Sequence, residues 1–326
     1  MNPFIIPEIR DTAAHFSRQH YQFERSNKLQ TALAEIFSRH LGNLQGGGRF
    51  EAEGLLVTGK SGSGKSTEVG HLVTKFNDSK AMLPSGVPAR IASCLLDGKS
   101  GWKGLGRKTA KALEYHIADS SRSTQDRIWE KVIIQAKFQG VVGIHYDEVQ
   151  HIFRKKPEAD VIATIDSFKS LIKNQDWPLM LIFTGVDELG GYIQSEPQLF
   201  DLMTKFHFDD IALPDDLQTI HEIVGSYAIN GKVPVSPDLA GEDFYQRLSS
   251  AAAFRWGLLI RITLDAIGSA CVKRATSLDR EHFIDAWVNK TQMPRFVTPF
   301  THDSYETMFR RDNPFLKSID SYQNER

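Results

Sequence analysis

Gly54-Leu55-Leu56-Val57-Thr58-Gly59-Lys60-Ser61-Gly62-Ser63-Gly64-Lys65-Ser66-Thr67 decides how the rest of the chain is read. Its first five residues are a short apolar run of buried-strand type. They lead straight into a glycine-rich turn, and Ser66 to Phe76 has the pattern of the helix that follows. A turn of this kind, set between strand and helix, aims backbone N–H groups at a concavity where the helix N-terminus adds positive potential. Phosphate groups suit that concavity. Lys65 is long enough to reach the outer phosphates of a nucleotide, and the Ser66 hydroxyl suits a magnesium ion. The expected ligands are therefore ATP and Mg2+, with Gly59, Lys60, Ser61, Gly62, Ser63, Gly64, Lys65, Ser66 and Thr67 around the phosphates.

A second element has the matching chemistry. Val141-Val142-Gly143-Ile144-His145-Tyr146-Asp147-Glu148 is a buried-type strand that ends in two acids. In an open α/β sheet such a strand delivers both to the carboxyl edge, where ligands gather. Asp147 is expected to hold the metal, usually through water, and Glu148 to orient and activate an attacking water. Two acids that merely cap a strand are the plainer alternative. His145 is expected to be a packed, hydrogen-bonded histidine and not a metal ligand. Thr184 ends the next strand, Pro178 to Gly185, where it could touch the γ-phosphate or the water, or have no such role.

Outward from these motifs, residues 11–40 have helical apolar spacing and run into a linker at Gly42 to Gly48. Val87 to Leu96 and Phe206 to Leu213 complete a set of five strands, which alternate with helices over 101–118, 124–138 and 160–174. That alternation predicts an α/β fold with a mainly parallel sheet covered on both faces. Beyond Pro214 the strand signal stops, and segments near 215–230, 241–253, 257–275 and 279–290 are all helical. The predicted organisation is an N-terminal helical extension (1–50), a P-loop ATPase core (51–214), an all-helical lid (215–292) and a C-terminal tail (293–326).

Composition sets outer limits. Hydrophobic residues make up 41% and charged residues 24% of the 326, with a net charge of −1. Those values are ordinary for a globular protein and supply no surface-wide attraction for nucleic acid, so any DNA contact needs a local patch. Cys94 and Cys271 are far apart in sequence and have no metal-ligand spacing, which predicts reduced thiols. No run approaches the roughly 18 apolar residues of a membrane span, and the first residues lack a signal-peptide pattern. A cytoplasmic location with no membrane partner is expected.

An α/β core with this loop, an Asp-Glu strand, a polar residue on the next strand and a helical C-terminal region resembles the AAA+ ATPases. Within them the chain is most similar to the TniB/TnsC group of bacterial transposition ATPases, functional relatives of the Mu B protein. The stretches that carry the likeness are Gly54 to Thr67, Asp147-Glu148-Val149-Gln150-His151-Ile152, Phe168-Lys169-Ser170-Leu171-Ile172, Leu179 to Gly185, Phe206 to Pro214 and Phe254-Arg255-Trp256-Gly257-Leu258-Leu259-Ile260-Arg261. The resemblance implies a regulator that assembles on double-stranded DNA with ATP, as a ring or helical filament. It would connect a target-selection protein to a transposase, and hydrolysis would drive disassembly. A neighbouring subunit would complete each site. Arg255 either leans over the phosphates from the lid or is a surface arginine. Where many AAA+ proteins have an arginine before the Leu-Pro strand, this chain has Thr204-Lys205-Phe206. Lys205 is then the candidate trans-acting cation, without the planar fork of arginine.

The local DNA patch has a candidate. Lys99, Lys103, Arg107, Lys108 and Lys111 fall within thirteen residues that contain no acid after Lys99, and a helix would align Lys103, Arg107 and Lys111 on one face. Phosphate contacts are expected there, with a merely solvated helix face as the alternative. Two other classes stay open. One is a helicase loader or origin-type initiator, and the other is a P-loop small-molecule kinase.

Overall fold

The computed structural model describes residues 2, 4–17, 19–96, 101–117 and 124–308. Strands β1 (Gly54–Gly59), β2 (Arg90–Leu95), β3 (Val141–Asp147), β4 (Met180–Thr184) and β5 (Met203–Phe208) form one sheet in the order β2-β3-β4-β1-β5. Every adjacent pair is parallel. Burial follows position in the sheet. Central β4 is buried at every residue, as is β3 up to Tyr146, whereas edge strands β2 and β5 alternate buried with more exposed residues. Continuous apolar runs in the middle and alternation at the edges are what a sheet covered on both faces requires.

Helices in chain order are α1 (Pro7–Phe16), α2 (Glu24–Gly46), α3 (Lys65–Ser79), α4 (Trp102–Ala112), α5 (Gln125–Gln139), α6 (Glu158–Ile172), α7 (Asp187–Gln194), α8 (Pro197–Asp201), α9 (Leu217–Asn230), α10 (Glu242–Ala251), α11 (Trp256–Lys273), α12 (Arg280–Thr291) and α13 (Tyr305–Met308). The expected linker at Gly42 to Gly48 is largely helical. α2 continues through Gly46 and stops at Gly47, whose φ of 67° suits glycine and whose N–H donates to the Asn43 carbonyl at 3.2 Å.

The chain forms two compact units, residues 22–61 with 65–208, and residues 1–21 with 62–64 and 209–326. Residues 1–50, expected to be one extension, are shared between them. In the first unit α2 buries Leu29, Leu33 and Ile36 in the core around the sheet. α4 and α5 pack closely, because a Cβ at Gly106 would lie 2.8 Å from Ile128 and 3.0 Å from the Trp129 indole nitrogen. Trp102 stacks on Trp129 with ring centroids 4.2 Å apart and meets Phe168 edge-on.

In the second unit α1 packs against α11, and Phe16 meets Tyr227 of α9 edge-on at 5.7 Å. The stretch after α12, whose aromatics the sequence leaves either open for a partner or packed back on the lid, is held over its described part. Phe300 is 1% exposed and stacks on Phe244, while Arg247 donates to the carbonyls of Pro299 and His302. Phe296 is exposed, and Phe309 and Phe315 lie outside the described residues.

Candidate nucleotide site

β1 ends at Gly59, where the chain must pass close to β5. A Cβ on Gly59 would lie 2.8 Å from the Phe208 carbonyl, and its φ of 146° is one that L side chains rarely adopt. Gly62 and Gly64 also take positive φ, so the turn uses three of its glycines as glycines. α3 then starts at Lys65. The Lys65 side chain is buried, and its Nζ donates to the carbonyls of Gly59 and Lys60, both at 2.8 Å. The ammonium is thus stationed beneath the turn.

At the next residue, Ser66 Oγ donates to Asp147 Oδ1 at 3.0 Å. The sheet order makes this possible, since β1 and β3 flank β4 and all three end at the same edge. Two further donors converge on Asp147 Oδ1, the Glu148 N–H at 3.0 Å and the Thr184 hydroxyl. Oδ2 receives no hydrogen bond among the described residues. Ser66 and Asp147 therefore offer two hard oxygens side by side. Such a pair fits a magnesium ion, which takes few protein ligands and completes its shell with water and substrate phosphates. No larger cluster of metal-binding side chains occurs among the described residues.

Glu148 leaves the strand in the left-handed region, with φ of 59°, which turns its side chain out of the β3 alternation. Its Oε2 accepts from Gln150 Nε2 at 2.5 Å, and His151 Nε2 lies 3.4 Å away. Gln150 is 1% exposed, and its amide oxygen accepts from the Val186 N–H at 3.3 Å. Gly185 leaves room for that oxygen, for a Cβ there would lie 2.3 Å from it. The carboxylate is held by an amide anchored to the turn after β4. Sequence reasoning missed Gln150, although its place two residues after the acid, between apolar Val149 and Ile152, marks a polar group in a buried turn.

Thr184 is fully buried and stands between His145 and Asp147. His145 is 4% exposed, and burial pushes its pKa down to about 4, against the weaker opposing pull of Asp147. The ring is neutral and hydrogen-bonded, in keeping with the sequence expectation.

The remaining candidates are more scattered. Arg255 stands at the N-cap position of α11 in the second unit without a side-chain capping bond, and at 6% exposed it is not a surface arginine. Lys205 is exposed on edge strand β5, with its ammonium over the Phe200 ring at 3.9 Å. On α4, Lys103 and Lys111 are exposed and Arg107 and Lys108 half-buried, while Leu105, Gly106, Thr109 and Ala110 face inward. Lys99 lies outside the described residues.

No family model matches the sequence, and no curated protein matches it. Solved structures do resemble the fold. ORC1 of Aeropyrum pernix in complex with DNA superposes with a TM-score of 0.60 at 15% identity, over 88% of this chain and 73% of that one. ORC2 of the same organism, with ADPNP and ADP, gives 0.57 at 14% identity over 84% and 71%. Cdc6p of Pyrobaculum aerophilum gives 0.57 at 12% identity over 85% and 70%. At such identities the likeness concerns architecture alone: a parallel five-stranded sheet with helices and a helical C-terminal region, in the Orc1/Cdc6-like AAA+ fold.

Proposed function

We propose that this chain is an ATP-hydrolysing, DNA-associated AAA+ protein, and within that class a transposition regulator of the TniB/TnsC type. The observation that carries the ATPase reading is the convergence of Lys65, Ser66, Asp147, Glu148 and Thr184 at one edge of the sheet. In the proposed mechanism the backbone N–H groups of the turn and Lys65 bind the phosphates. A magnesium ion held by Ser66 and Asp147 would neutralise charge on them. Glu148, oriented by Gln150, accepts a proton from the attacking water, and Thr184 fixes the Asp147 carboxylate from the side. Arg255 is a further candidate cation, and Lys205 acts on a neighbouring subunit's nucleotide.

DNA association draws support from the basic face of α4 and from ORC1, which was solved on DNA. Double-stranded DNA, further copies of the chain, a transposase and a target-selection protein are the proposed partners. No helix among the described residues is long and apolar enough to cross a membrane, and a cytoplasmic, bacterial setting is part of the same reading. The fold likeness to ORC and Cdc6 proteins favours one second reading, an origin-type initiator or loader.

Electron microscopy of the protein with duplex DNA tests both. Rings or filaments are expected on DNA of arbitrary sequence with a slowly hydrolysed ATP analogue, but not with ADP or with Lys65→Ala. Binding confined to one particular sequence, without spreading, would favour the initiator. Dispersed monomers in every condition would sink both assembly readings.

A further inference from the structure

Three neighbouring strands carry a line of polar side chains through an otherwise apolar sheet. Ser93 on β2 pairs in register with His145 on β3, and His145 pairs with Ile182 on β4, two residues before Thr184. Side chains two apart on a strand share a face, so His145 and Asp147 lie on one side of the sheet together with Thr184. Ser93 Oγ lies 3.4 Å from His145 Nδ1, and His145 Nε2 lies 3.1 Å from Thr184 Oγ1.

Proton inventory gives this line a direction. Thr184 Oγ1 has two acceptors within reach, Asp147 Oδ1 and, at 3.4 Å, the Tyr146 carbonyl. Neither can donate, so its one hydroxyl proton is spent there, on the nearer Asp147 Oδ1. Thr184 Oγ1 can then only accept from His145, which requires a proton on Nε2. With Nε2 as the protonated nitrogen, Nδ1 is the acceptor for the Ser93 hydroxyl. Every bond points the same way, from Ser93 through His145 and Thr184 to Asp147. Among side chains, a neutral imidazole suits this place because it offers one donor and one acceptor on opposite sides of a rigid ring.

We propose that His145 is a positioning residue of the phosphate site, which sets the Thr184 hydroxyl as a donor to Asp147 and thereby fixes the carboxylate that faces the metal position. The inference rests on the ATPase reading above. Without the Nε2–H, the Thr184 hydroxyl loses the imidazole donor and turns more freely, so Asp147 is held less firmly. Substrate binding, which depends mainly on the glycine turn and Lys65, changes little.

The test uses the full chain with 15N-labelled histidine. In the nucleotide-free protein, one ring is expected to be neutral and protonated at Nε2, to vanish in His145→Gln and to shift at Nε2 in Thr184→Val. A His145 ring protonated at Nδ1, or one indifferent to Thr184→Val, overturns the proposal before any nucleotide is added.

Turnover supplies the second arm. His145→Leu is expected to lower kcat about tenfold, the rate equivalent of one lost neutral hydrogen bond, with KM within about twofold. His145→Gln places an amide N–H near the Nε2 position and should recover most of the loss. Equal losses in both variants, with KM rising in step, overturn the positioning role. Should His145→Leu not fold, Ser93→Ala at the more exposed edge strand takes its place, with a ring-spectrum shift at Nδ1 as its expected mark and an unchanged spectrum as the contrary result. A wild-type protein that turns over no ATP, with or without DNA, defeats the ATPase reading instead, and the ring spectra still decide the hydrogen-bond line.

Discussion

Ser66 Oγ and Asp147 Oδ1 are hydrogen-bonded at 3.0 Å although 81 positions separate them in sequence. The bond joins the first turn of α3 to the end of β3 and creates the paired oxygens proposed for magnesium. Asp147→Asn keeps the shape but removes the charge. Nucleotide affinity of that variant, measured by calorimetry with magnesium and with EDTA, is expected to lose about tenfold or more of the magnesium-dependent gain. Wild-type magnesium dependence in Asp147→Asn would exclude this residue as the ligand.

Glu148 is held by Gln150 and is the only carboxylate in the set that accepts from a side-chain amide. Replacement by glutamine retains size and removes the base. Glu148→Gln is expected to bind nucleotide normally and to hydrolyse it at least about 100-fold more slowly, the usual worth of a positioned general base. ATP-dependent assemblies on DNA should persist correspondingly longer, as followed by light scattering after a chase. Disassembly at the wild-type rate would separate assembly lifetime from hydrolysis.

The exposed Lys103 and Lys111 lie two helical turns apart on α4. If they meet phosphates, the double substitution to alanine should weaken binding of unrelated DNA sequences about equally. The slope of log affinity against log salt should fall by roughly 0.9 for each contact removed. Fluorescence anisotropy at several salt concentrations measures both. An unaltered slope would assign this face to solvent.

His40 on α2 is 2% exposed, and neither ring nitrogen has a hydrogen-bond partner among the described residues. Burial pushes its pKa down to about 4 from 6.5. The unfolded chain therefore binds an extra proton between those values, and stability contributed by this group is lost as pH falls from about 6.5 towards 4. The full shift corresponds to about 3 kcal/mol at most. His40→Leu removes two unsatisfied polar atoms. It is expected to raise stability by about 1 kcal/mol at neutral pH and to narrow the gap between denaturant midpoints at pH 7.5 and pH 5. An unchanged gap would show that His40 is not buried as described.

The glycine turn and the acidic strand end are legible in the sequence because their chemistry is local. Gly59, Gly62 and Gly64 are required by backbone conformation, and Asp147 ends a run too apolar to lie anywhere but inside a sheet. Partners on adjacent strands are not legible in that way. His145 can be recognised as buried, but Thr184 is 39 positions away, and only the β3–β4 register brings the two together. β5 starts at Met203, three residues before the apolar signal at Phe206, because Met203 to Lys205 pair through the backbone with Gly54 to Leu56. α7 contains Gly190 and Gly191 and α8 has five residues, so neither carries enough periodicity to stand out between β4 and β5. The stretch after α12 has little regular structure, yet its Phe300 packs with Phe244 of α10 and Phe283 of α12, a contact that no local pattern encodes.

Trp102 opens the basic helix and lies over Trp129 of α5 at 4.2 Å, with the two ring planes 18° apart. Two indoles so close and nearly parallel couple their electronic transitions, so together they give an optical signature that neither gives alone. α4 thereby carries its own reporter. Any rotation or lift of that helix when DNA arrives would uncouple the pair, visible as a lost couplet in circular dichroism and a changed emission spectrum, with no label attached.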